Sequence, residues 1–295
     1  MDLRASSTAL DTVLFVLLVG VAVGTLAGVG DRRAPGGDRV AEETADLLAT
    51  ATTEVTYTRS ARVPSSALLD GSETVTVTVD RTAAGTHAEL LAAAALADPS
   101  LGGASLTGVG GDLRVGARNA TECVLHTREG TAQVAVTWYP YPNATLRSSF
   151  TAGDAPPRGA DVSVATVAAA SGLANVTGPA ERSARTGGFD GVAGVLADAV
   201  VAGLFPPGET RDALYSEGPD RALVAHRYRH ASAALGVDAT EFLRPGGVER
   251  ANRRLSGGLA ERLAADLRRR YDSPTEAARA VRAHRVRIVV RTWSG

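Results

Sequence analysis

The chain has 295 residues, 44% apolar and 21% charged, so it can bury a core, and wholesale disorder is excluded. All 31 basic residues are arginine, which removes every chemistry that needs a lysine: the Walker-A phosphate loop, Schiff-base catalysis and the kinase phosphate lysine. The single cysteine, Cys123, permits no intrachain disulfide and no cysteine-based zinc site.

Thr12 to Gly30 is a run of nineteen uncharged residues between Asp11 and Asp31-Arg32-Arg33. As a helix it spans roughly 28 Å, close to the hydrocarbon thickness of a bilayer. It is longer than the apolar region of a cleavable secretory signal, about 7–15 residues. Gly20, Gly24 and Gly28 recur every fourth residue on one face, the small-xxx-small spacing that lets membrane helices approach closely. Residues 1–30 are therefore expected to hold a leader and a single transmembrane helix in contact with membrane lipid.

Arg4-Ala5-Ser6-Ser7-Thr8-Ala9-Leu10, directly ahead of the apolar run, resembles the short leader of archaeal type IV pilin precursors. The resemblance implies a prepilin-type peptidase cutting on the cytoplasmic side between Ala5 and Ser6, with other pilin-like subunits as partners. It would also let Asp11 pair with a neighbouring subunit's amino terminus, although a simple interfacial acid explains Asp11 as well. The same opening, through Asp11, and the closing Val286-Arg287-Ile288-Val289-Val290-Arg291-Thr292-Trp293-Ser294 are similar to an uncharacterised group of haloarchaeal membrane-anchored proteins encoded near type IV pilus-like genes.

Two signals disagree about topology. Arg32, Arg33 and Arg39 follow the span, which by the positive-inside rule holds the body in the cytoplasm. Against this, three of the four asparagines, Asn119, Asn143 and Asn175, lie in Asn-x-Thr glycosylation triplets. Asp31 and Asp38 offset the arginines, and a pilin-type leader fixes the body outside. The expected location is the cell membrane, single-pass, with an extracellular body.

Residues 31–39, with Pro-Gly-Gly and no apolar anchor, read as a flexible linker. Such a break departs from the typical pilin, whose membrane helix runs unbroken into the head. Val40, Leu47, Leu48, Ala51 and Val55 predict an amphipathic helix over 40–55. Residues 40–184 read as the β-rich part of the body. Val75, Val77 and Val79 alternate with threonines, Val134, Val136 and Trp138 alternate, and shorter strands are expected near 112–117, 121–127, 145–151 and 161–167. A helix near 84–97 interrupts them.

Residues 185–295 read as the helical part. Val192, Leu196, Val200 and Val201 mark one helix ending at Phe205-Pro206-Pro207. Ala222–Leu235 is a second, and Leu255, Leu259, Leu263 and Leu267 define a third. Ser273-Pro274-Thr275-Glu276 predicts a capped helix start. The chain ends with Val286, Ile288 and Val290 alternating against Arg285, Arg287 and Arg291, an amphipathic strand with a cationic outer face that must return to the earlier sheet. The fold class expected is α+β with a mainly antiparallel sheet.

Charge is divided: residues 31–218 carry 14 arginines against 22 acids, and 219–295 carry 16 against 8. Either the basic helices pack beside the acidic region, or Arg262, Arg268, Arg269, Arg270, Arg279 and Arg282 form a cationic face for an acidic partner. No nucleic-acid motif or aromatic platform accompanies them, so no nucleic acid is expected.

No catalytic site emerges. His226 and His230 have the i, i+4 spacing of a metal pair but no His-Glu-x-x-His, so a solvated helix face is the better reading. No Gly-x-Ser-x-Gly elbow occurs. Cys123 alternates as a buried strand residue. Gly108, Gly110 and Gly111 precede a strand, which is the wrong order for a dinucleotide fingerprint. No catalytic, metal or cofactor residue is assigned. The leading expectation is a non-enzymatic, membrane-anchored minor pilin-like or accessory component of a type IV pilus-like system. The alternatives are a permanently anchored extracellular binding or sensing module, which the 31–39 break favours, and an anchored hydrolase with an unrecognised site.

Overall fold

A computed structural model describes residues 35–64, 74–126 and 131–294. The expected leader, its Ala5–Ser6 cleavage site and the transmembrane run lie outside the described residues.

The first described element is α1 (Pro35–Thr50). The segment expected to be a flexible linker is therefore helical from Pro35. Proline suits a first helical turn, whose N–H has no intrahelical partner. Ala41, Thr44, Ala45 and Leu48 form the buried stripe. The helix expected over 40–55 ends at Thr50, because Thr52 opens β1 (Thr52–Pro64), a strand where helix was expected up to residue 55. It pairs antiparallel with β2 (Thr74–Thr86) as a two-stranded ribbon. Val55, Ala61, Val63, Val77 and Ala83 point inward, while a ladder of threonines and Ser60 points out.

The helix α2 (His87–Ala97) follows at once. Thr86 accepts from the Glu89 N–H and the Glu89 carboxylate accepts from the Thr86 N–H, a reciprocal cap. Its alanines are almost wholly buried, which lets it lie close to the sheet. After the short strands β3 (Ser100–Leu101) and β4 (Ala104–Ser105) comes α3 (Gly111–His126). This helix replaces both strands expected at 112–117 and 121–127. Leu113, Ala117, Thr121 and Leu125 repeat at i+4 and are all buried, so a helical stripe prevails over the local alternation.

The main sheet is completed by β5 (Thr131–Trp138), β6 (Leu146–Ala152), β7 (Val162–Ala170) and the terminal strand β8 (Arg285–Trp293). Its order is β4-β3-β6-β5-β8-β7, and every pairing is antiparallel. The terminal strand returns to the sheet as expected, and it does so between β5 and β7, which it holds together. Its entry is pinned by the Ala283 carbonyl, which accepts from Trp138 Nε1 at 2.8 Å and from Ser171 Oγ at 2.7 Å.

The helical part begins with α4 (Thr177–Leu204), kinked at Gly188, where φ is 59°. It is long and apolar enough to cross a membrane by length and composition. Here Val192, Leu196, Val200 and Leu204 are buried in the shared core, and the helix packs on α7 (Val248–Arg270) and α8 (Pro274–Arg279). Between them lie α5 (Pro207–Tyr215) and α6 (Pro219–Leu235). The expected cap at Ser273 is present, its hydroxyl accepting from the Glu276 N–H. The fold is mixed helix and antiparallel sheet, as the sequence implied.

Candidate interaction surface

The three helices α1, α2 and α3 lie over the side of the sheet that carries Val134, Val136, Trp138, Val167, Val286, Ile288 and Val290. Strand alternation sends the intervening residues to the other side. There β8 presents Arg285, Arg287, Val289, Arg291 and Trp293; β5 presents Thr131, Gln133, Ala135 and Thr137; β7 presents Val164, Thr166, Ala168 and Ala170; and β6 adds Arg147, Ser149 and Thr151. Arg147, Ser149, Thr151, Val164, Ala170, Arg285 and Arg287 are exposed.

That face holds four arginines and no carboxylate among the described residues. Arg291 donates to Gln133 at 3.0 Å and Arg285 Nε contacts His284 Nε2 at 3.1 Å. None of the four is ion-paired among the described residues. Gln133 and Trp293 are buried on this side, and the exposed remainder is cationic with hydroxyl and alanine neighbours, suited to carboxylate or phosphate groups.

The cationic helix surface considered from sequence is partly consumed internally. Arg268 pairs with Asp190, and Arg269 and Arg270 both donate to Asp266, a fully buried carboxylate. Asp266 also accepts from the Tyr141 hydroxyl and the Thr145 N–H. Burial alone would raise its pKa; Arg270, Thr145, Tyr141 and Arg269 together hold it below the ordinary carboxylate range. Burial and the Asp266 charge push the Tyr141 phenol upward. This network fastens the turn after β5 to α7. Its four donors engage both carboxylate oxygens.

Asp98 plays a similar part beyond α2. It accepts from Ser105 Oγ, Thr107 N, Thr107 Oγ1 and Gly108 N, which close the loop around β3 and β4. On that loop Gly108, at φ 69°, lies against His226 and His230, whose rings stack at 5.8 Å. Burial, then His230 and Arg229, lower the His226 pKa. No group of three or more potential metal ligands exists among the described residues.

The three sequon asparagines are all exposed. Asn119 lies within α3, where its sequon partner Thr121 is buried and donates to the Ala117 carbonyl. Asn143 occupies the β5–β6 turn at φ 59°. Asn175 precedes α4 and accepts from the Thr177 N–H. Cys123, expected to be buried in a strand, is exposed on α3. The helix turns it away from the stripe that Leu113, Ala117, Thr121 and Leu125 bury. The sequence already marked Arg285, Arg287 and Arg291 as one face of a strand. Arg147, and the lack of any acid across the neighbouring strands, became visible only through the pairing.

Fold and surface together define an α+β body with one helix-covered sheet face and one open, cationic face. Residues 10–293 match DUF7284, a family of unknown function, and the chain belongs to that family. No curated protein and no solved structure matches.

Proposed function

We propose that the protein is a non-enzymatic, single-pass surface protein, a minor pilin-like or accessory component of a type IV pilus-like system with its body outside the cell. The observation that carries this reading is the placement of α1. It begins at Pro35, five residues beyond the apolar run that ends at Gly30, and it packs against β7 and β8. A typical pilin's membrane helix runs on into its head, and a described helix that starts so soon after the apolar run supports that likeness. The helical state of Pro35–Arg39 also removes most of the break that favoured a loosely tethered module. The family match spans both the apolar run and the body, in keeping with the two acting as one unit.

The test is the amino-terminal sequence of the membrane-extracted protein, read by mass spectrometry with the prepilin-type peptidase present and deleted. A chain that begins at Ser6 only when the peptidase is present is the expected result. Retention of Met1 in both strains, or a start beyond Ala27, overturns the proposal.

A further inference from the structure

The open sheet face and the outward side of α1 carry opposite charge. The open sheet face has Arg147, Arg285, Arg287 and Arg291 and no acid among the described residues. On the covered side, α1 carries Asp38, Glu42, Glu43 and Asp46 against one arginine, Arg39. Glu42 and Asp46 stand exposed one turn apart on α1, about 6 Å along the helix. Arg285 and Arg287 stand two residues apart on β8, about 7 Å along the strand. Two guanidinium–carboxylate pairs can therefore form in register. Val40 on α1 and Val164 on the sheet face are among the few large apolar side chains left exposed, at 39% and 47%.

We infer that copies of this chain stack head to tail, the outward side of α1 in one copy docking on the arginine face of the next through Glu42 and Asp46 against Arg285 and Arg287. The two surfaces lie on opposite sides of one body, so the contact is heterologous and each copy keeps one face open for another. Bidentate arginine–carboxylate geometry gives such a contact orientation as well as attraction. This inference rests on reading the chain as a subunit of an assembly and specifies how its bodies meet.

The experiment uses the full-length protein in its own membrane, with Cys123→Ser as background. Val40→Cys and Val164→Cys are introduced on separate co-expressed chains and treated with a short bis-maleimide. Adducts are expected when both variants are present, with far less from either alone, and a ladder of higher species when one chain carries both. Arg285→Glu with Arg287→Glu should cut the adduct at least about tenfold. Glu42→Arg with Asp46→Arg on the partner chain should restore it, which also shows that the reversed chains fold. Self-linking of Val164→Cys as efficient as the mixed reaction, or a yield indifferent to charge reversal, overturns the inference. So does purified chain that sediments with vesicles containing phosphatidylglycerol while giving no adduct. Repeating the reaction in the peptidase deletion separates the two claims. Adducts without processing at Ser6 sink the pilin-like reading alone, and processing without adducts sinks the stacking alone.

Discussion

The Tyr141 hydroxyl donates to Asp266 Oδ2 across 2.9 Å, joining residues 125 positions apart in the chain. Asp266→Ala strands that hydroxyl and the Thr145 N–H and removes the partner of two arginines, and is expected to cost about 3 kcal/mol or more. Tyr141→Phe leaves the carboxylate three donors and is expected to cost about 1 kcal/mol. Urea unfolding followed by the fluorescence of Trp138 and Trp293 measures both, and equal losses would contradict the network's role.

Gly153 combines a φ of 80° with a close approach to the neighbouring strand: a Cβ there would stand 2.4 Å from the Ala132 carbonyl oxygen. Backbone cannot give way as a side-chain tip can. Gly153→Ala should destabilise the body by about 2 kcal/mol or more. Gly159 has a similar φ of 82° and open space around it, so Gly159→Ala should cost only about 1 kcal/mol. Thermal melts of the two variants make the comparison, and indistinguishable melting temperatures would refute it.

Three histidines give the body a pH dependence. Burial lowers the pKa of His87, His226 and His284, with His230 and Arg229 adding to the effect at His226 and Arg285 at His284. The unfolded chain binds protons at these sites near the ordinary histidine value while the native one resists. The stability is therefore present above about pH 6.5 and is lost as pH falls below it. The urea midpoint should drop between pH 7.5 and 5.5, and His226→Gln should flatten the slope. A midpoint that rises on acidification in this window would contradict the assignment.

Of Asn119 and Asn143, it is Asn143 that is expected to carry glycan on the folded protein. It is exposed in a turn, whereas Asn119 lies inside a helix with Thr121 buried and hydrogen-bonded. Peptide mass mapping should find added hexose mass at Asn143 and little at Asn119. Comparable occupancy at both would mean that transfer precedes folding of α3.

Much of this body is legible in one dimension because each buried side leaves a periodic trace. Val75, Val77 and Val79, Val134 and Val136, and Val286, Ile288 and Val290 alternate because one sheet face meets helices. Leu255, Leu259, Leu263 and Leu267 repeat at i+4 because one stripe of α7 is buried. Where two periods compete, reading fails. Residues 111–126 contain local alternation, and the long-range burial of Leu113 and Leu125 decided for helix. From Thr52 the helical pattern of α1 misleads, because Val55 fits either period. Its pairing with Ala83 settles the strand.

The sequence by itself determined the absence of lysine chemistry, the apolar amino-terminal run, the alternating strands, the Ser273 cap and the cationic edge of β8. Those are local properties of composition, spacing and hydrogen-bonding preference, and they survive without knowledge of neighbours. Only the tertiary structure decided that β8 inserts between β5 and β7, that Arg268 is answered by Asp190, and that Arg147, Arg285, Arg287 and Arg291 share a face with no acid. Which strands lie side by side, and which face a helix covers, depends on contacts between distant residues, more than a hundred positions apart where β8 meets β5 and β7, and a surface's net charge is the sum over such non-local neighbours.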